Sequence, residues 1–173
     1  MVRPASITPI VAVADSASRF PSSSELKSVL DYLRKAQIRL DAAEVLSRDA
    51  DHLSQDAAQF VFDKFPDAAK VSKFLFTFSP EMEAHSFQED VGILLRVLTY
   101  CLVIGDDNPL ESKSLKGIFN EISRVIHESP EISPLWYINA LEFFRNHHGL
   151  SGEGAVEINS YINYIVAAFN YTG

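Results

Sequence analysis

Apolar residues in this chain recur at helical intervals and almost never alternate, which leaves packed helices as the available architecture. Near the C-terminus Ala155, Ile158, Tyr161, Ile162, Ile165, Ala168 and Phe169 follow at steps of three, three, one, three, three and one. That spacing is one face of an amphipathic helix. Val91, Leu94, Leu95, Leu98, Cys101 and Leu102 repeat the pattern in the middle of the chain. No alternating run rich in Val, Ile and Thr occurs, so strands are not expected.

Punctuation agrees with this reading. Ser22 followed by Glu25 matches a capping box, in which each side chain satisfies an orphan backbone donor of the other. Ser79-Pro80 and Ser133-Pro134 each place a cap before a proline at the first helical position, where its missing N–H costs nothing. Gly105-Asp106-Asp107-Asn108-Pro109 stops the central helix, His147-His148-Gly149 closes the next, and Ser151-Gly152-Glu153 opens the last. The expectation is six to eight helices in one all-α domain, with turns near residues 16–21, 66–79, 105–113, 128–133 and 149–152.

With 173 residues, nearly half of them apolar and 12 of them Phe, the chain can build a sizeable core. A net charge of −8 argues against nucleic acid or an anionic membrane surface as the main partner, since both select basic patches. A single cysteine excludes an internal disulfide and fits a reducing compartment. No apolar run approaches 18 residues, and Met1–Val13 lacks the features of a secretory signal, so a cytoplasmic protein is expected. His52, His85, His127, His147 and His148 form no metal-ligand spacing, and no nucleophile motif or phosphate loop is present. An enzyme is not expected.

Several blocks, in order along the chain, carry a family resemblance. They are Val13 to Glu25 (VADSASRFPSSSE), Arg39 to Ala43 (RLDAA), Ala57-Ala58-Gln59 through Lys64-Phe65-Pro66, and Phe87 to Asp107 (FQEDVGILLRVLTYCLVIGDD). Ile132 to Tyr137 (ISPLWY), Asn146 to Gly152 (NHHGLSG) and Asn159-Ser160-Tyr161 complete the set. Together they resemble the α subunits of the phycobiliproteins, the light-harvesting proteins of cyanobacterial antennae, and phycocyanin α in particular.

The resemblance implies a globin-like phycobiliprotein fold: an N-terminal helical hairpin over residues 4–35 and a helical body over 36–173. It implies a β-type partner against the hairpin, with Asp15 and Arg96 at positions that exchange salt bridges across that contact. Read without the resemblance, Asp15 is a helix cap and Arg96 a solvated cation. The resemblance also implies a linear tetrapyrrole (bilin) bound through a thioether to a cysteine at the start of the central helix, where this chain has Phe87. Cys101 lies fourteen residues further on, about 21 Å along a helix, and is read as a small core residue. No covalent bilin is expected at the usual site.

Non-covalent binding is a separate matter. Asp90 matches the aspartate that accepts pyrrole N–H groups, and Trp136 and Tyr137 match residues that line the pigment. Against this, Glu89 and Ser86 stand where the family has basic residues, and Glu81 and Glu83 add negative charge that two propionates would meet. Phe74, Phe76, Phe78 and Phe87 are expected to fill the vacated cleft, because an empty slot of that size destabilises in proportion to its volume. His85 as a haem ligand is set against a solvated histidine, which the acidic surroundings favour.

Two functions follow from the resemblance. One is a bilin-free structural, assembly or regulatory partner in the phycobilisome, engaging a β-type subunit, a linker, a lyase or a degradation factor, or pairing with itself through the hairpin. Such a protein would sit in the cytoplasm or on the cytoplasmic face of thylakoids. The alternative is a carrier or sensor holding bilin or another hydrophobic ligand non-covalently. An ordinary antenna subunit altered at the attachment position is a third reading. The composition of Met1–Leu30 does not choose between an interface and a free surface.

Overall fold

The structure, a computed structural model, describes residues 8–70, 86–105, 117, 120, 124, 125, 128 and 130–170. Among the described residues, helices with defined bounds run in the order α1 (Thr8–Ser16), α2 (Ser23–Arg48), α3 (Ala50–Lys64), α4 (Phe87–Ile104), α5 (Pro134–His147) and α6 (Gly152–Asn170), and residues 117, 120, 124, 125 and 128 are helical as well. A 3-10 turn, Pro66–Lys70, occupies part of the span expected as an open connection. No strand occurs among the described residues, and the all-α, globin-like architecture expected from the sequence holds. Ser79-Pro80, His85 and the phenylalanines at 74, 76 and 78 lie outside the described residues.

The central helix α4 packs on α2, α3 and α6, while α5 closes against α3 and α6. Its buried residues include Val91, Leu94, Leu95, Leu98, Cys101 and Leu102, the six that the helical spacing singled out. Cys101 is a core residue, 1% exposed. Burial of those aliphatic side chains, at about 1.5–3 kcal/mol each, is what holds α4 in place.

α2 runs through residue 35 without interruption, so the expected hairpin boundary falls inside a helix. Burial changes along it instead. The first buried side chain of α2 is Arg39, followed by Ala42, Ala43 and Leu46. The N-terminal half therefore carries no fully buried side chain, although Arg34 reaches Glu153 of α6 at 2.6 Å, and the C-terminal half is packed into the core. At its start the capping box is present: Ser22 Oγ accepts from the Glu25 N–H, and Glu25 accepts from the Ser22 N–H at 2.7 Å. The Arg19 guanidinium grips the same carboxylate through two bonds of 2.8 Å, fixing the turn between α1 and α2 and holding the Glu25 carboxyl well below its ordinary range.

Arg39 is 2% exposed, and nothing in its sequence context announces that. Its Nε donates to the Leu102 carbonyl at 3.2 Å, at the negative end of α4 where a cation is favoured. Gly105 ends α4 in the left-handed region (φ 69°), its N–H bonded to the Cys101 carbonyl. A β-carbon there would overlap the Arg39 guanidinium, so glycine is required for space as well as for conformation.

Candidate functional site

The first turn of α4 is built by a second capping box, which the sequence reading did not single out. Ser86 Oγ accepts from the Glu89 N–H, while the Glu89 carboxylate accepts from the Ser86 N–H at 2.6 Å. The acid at position 89 thus has a structural reason to be there, as the helix cap. The cap sets the register of the turn, and the register aims Phe87 and Asp90 inward: they are 1% and 0% exposed.

α5 supplies the facing residues. Its opening Ser133-Pro134 has proline at the first position, as expected, but Ser133 makes no side-chain cap bond. Trp136 and Tyr137, in the first turn, are buried against Phe87. The Phe87 ring lies 5.4 Å from Tyr137 and 6.4 Å from Trp136, both edge-on, and 5.5 Å from Phe62 of α3. Tyr137 also stacks on Phe169 of α6, 5.5 Å away and nearly parallel. Phe62 and Phe169 were not anticipated as part of this site. They enter because α3 and α6 converge on the start of α4.

The Tyr137 hydroxyl donates to Asp90 Oδ2 at 2.6 Å, in the range of a charge-assisted O–H···O⁻ bond. A buried carboxylate is costly unless hydrogen-bonded, and this phenol meets part of that demand from within the protein. So Phe87, Asp90, Trp136 and Tyr137, which are separated in sequence, do meet. Their described contacts are to one another and to Phe62 and Phe169.

Asp15 and Arg96 lie elsewhere. Asp15 is exposed near the end of α1, and Arg96 is exposed on the outer face of α4. Arg96 borders a shallow polar depression with Asp51, Ser54, Gln88 and Glu89. Among the described residues neither is ion-paired, so both charges face outward and unmatched.

The outer surface of α2 carries a second feature the sequence reading left undecided. Leu26, Leu30, Leu33 and Leu40 are all exposed, Leu30 by 66%, and Phe20 in the preceding turn by 94%. With exposed Gln37 they stand at steps of four, three, four and three. That is a seam of the kind helices pack along, here exposed to solvent. Among the described residues no group of three or more metal-ligating side chains converges, and no helix is long and apolar enough to cross a membrane.

Residues 9–169 match the family model described as phycobilisome protein. The phycoerythrocyanin alpha chain of Nostoc sp. is 31% identical over 164 residues, covering 95% of this chain and 98% of that one. The C-phycoerythrin alpha chain of Synechocystis sp. is 30% identical, covering 92% and 95%, and the C-phycoerythrin class 1 subunit alpha of Synechococcus sp. (strain WH7803) is 27% identical, covering 95% and 98%.

Proposed function

The chain belongs to the phycobilisome protein family, and we propose that it serves the light-harvesting system as an α-type subunit that carries no covalent bilin. It acts through protein contacts, as a structural, assembly or regulatory partner. The observation that carries this reading is Phe87, buried to 1% among Phe62, Trp136 and Tyr137. A phenyl ring offers no sulfur for a thioether, and its burial against three other rings supports a site without pigment. The one thiol, that of Cys101, is buried in the core.

The partner on this reading is a β-type subunit docking on the hairpin, at the soluble complexes that stand on the cytoplasmic side of thylakoids. The exposed leucines of α2 supply apolar area for such a contact, and the exposed Asp15 and Arg96 are charges of opposite sign available to a partner.

The test is the visible spectrum of the protein purified from a bilin-producing host, taken before and after acid-urea denaturation and desalting. A colourless protein that captures a β-type chain is the expected result. Colour that stays with the denatured polypeptide would mean covalent pigment and overturn the proposal. Colour lost on denaturation would favour the non-covalent carrier or sensor, with Asp90, Trp136 and Tyr137 as its contacts.

A further inference from the structure

α5 ends in two adjacent histidines, and their hydrogen bonds assign them different protonation. His147 Nδ1 lies 2.8 Å from the Phe143 carbonyl, which can only accept, so that nitrogen carries a proton. His148 Nδ1 accepts the Leu150 N–H at 2.9 Å, so its proton sits on Nε2. Protonating the exposed His147 leaves its bond in place, at a helix end that favours a cation. Protonating His148 turns its acceptor into a donor facing an N–H, and the bond is lost. Burial also lowers the pKa of His148 below the ordinary histidine value.

What that bond holds is a short turn. Gly149 and Gly152, both at positive φ (71° and 58°), bracket Leu150 and Ser151. Leu150 and Ser151 wall a groove of about 620 Å³ whose α2 side includes Ile38, Ala42 and Val45. We infer that His148 is a latch on this turn: in mild acid it releases Leu150 and opens the groove between α2 and α6. The opening is local, because α5 and α6 stay anchored through the buried Phe144, Ile158 and Ile162. Most charged groups on the surrounding elements already have partners. Arg145 of α5 is bonded to Glu142 and Asn163, Glu153 of α6 to Arg34 of α2, and on α2 Asp41 is bonded by Gln37 and Glu44 by Arg48. α3 runs antiparallel to α5, with Lys64 on Asn139 and Phe60 on Phe143, which sets Asp56 and His52 toward the same end, both exposed. Among the described residues none of these groups ion-pairs with His148. The latch therefore holds at and above neutral pH and lets go as pH falls through the lowered folded value.

Amide hydrogen exchange of the full chain, followed by NMR and corrected for the intrinsic effect of pH, tests this. Protection of the Leu150 amide should fall about tenfold between pH 7.5 and 5.5, while the amides of buried Leu98 and Leu141 keep theirs. In His148→Asn the side-chain oxygen accepts the N–H two residues on without titrating, so protection should persist at both pH values. His147→Gln should behave as the wild type. Imidazole ¹⁵N shifts at pH 7.5 should place the proton of His148 on Nε2. A soluble paramagnetic agent should broaden the methyl signals of Ile38 and Val45 more at pH 5.5 than at 7.5, in the wild type alone of the wild type and His148→Asn. Leu150 protection indifferent to pH, pH dependence that survives in His148→Asn, or a proton on His148 Nδ1 overturns the latch. Loss of protection at Leu98 together with Leu150 means that acid unfolds the whole molecule and overturns a local release. Methyl signals unchanged while Leu150 exchanges overturn the opening of the groove.

Discussion

Phe87 is buried among aromatic rings, and its contribution can be measured as packing. Truncation to alanine removes a buried ring that packs on Phe62, Trp136 and Tyr137. A loss of about 3–5 kcal/mol is expected, read from urea denaturation. A loss below about 1 kcal/mol would mean the ring is not part of the core and would remove the ground for calling the site filled. Asp90 was legible as a candidate only through the family resemblance. From the residues alone, an aspartate in the first turn of a helix reads as a partner for the helix dipole. What distinguishes it, the Tyr137 hydroxyl 47 positions away, depends on how α5 crosses α4, and no local pattern encodes that crossing.

The helices themselves were the most legible part, because 3.6-residue periodicity and caps are local properties. The central stripe of α4 and the Ser22–Glu25 box both appear where the sequence places them. Arg39 was not legible: an arginine in a polar stretch gives no sign that a helix end will close over it. The turn between α5 and α6 is held by another buried polar group. His147 bonds the Phe143 carbonyl at 2.8 Å, while His148, 8% exposed, accepts the Leu150 N–H on Nδ1 at 2.9 Å. Burial lowers the His148 pKa below the usual histidine value. The neutral ring is the form that accepts, so the folded state resists its protonation while the unfolded chain does not. Stability from this group is therefore full above the ordinary pKa and falls as pH drops through it toward the lower folded value. Urea midpoints at pH 7.5 and 5.5 should diverge more for the wild type than for His148→Asn. Equal divergence would place the acid sensitivity elsewhere.

The core of the molecule and the exposed leucine row of α2 answer to different forces, and one substitution separates them. Leu30→Asp changes a side chain that is 66% exposed, so the unfolding free energy should stay within about 0.5 kcal/mol of wild type. Association through α2, tested by co-purification and by mass, should nonetheless be lost. A folded variant that still associates would move the interface to another face. The leucine spacing was present in the sequence, but periodicity alone does not say whether a stripe faces a core or solvent. That required knowing that burial along α2 begins only at Arg39. The same row of leucines governs the fate of a newly made copy. An uncovered hydrophobic seam is what chaperones and proteases use to tell unfinished chains from finished ones. If the proposed partner covers α2, it also protects the chain from that triage, and its supply then governs how much of the chain persists.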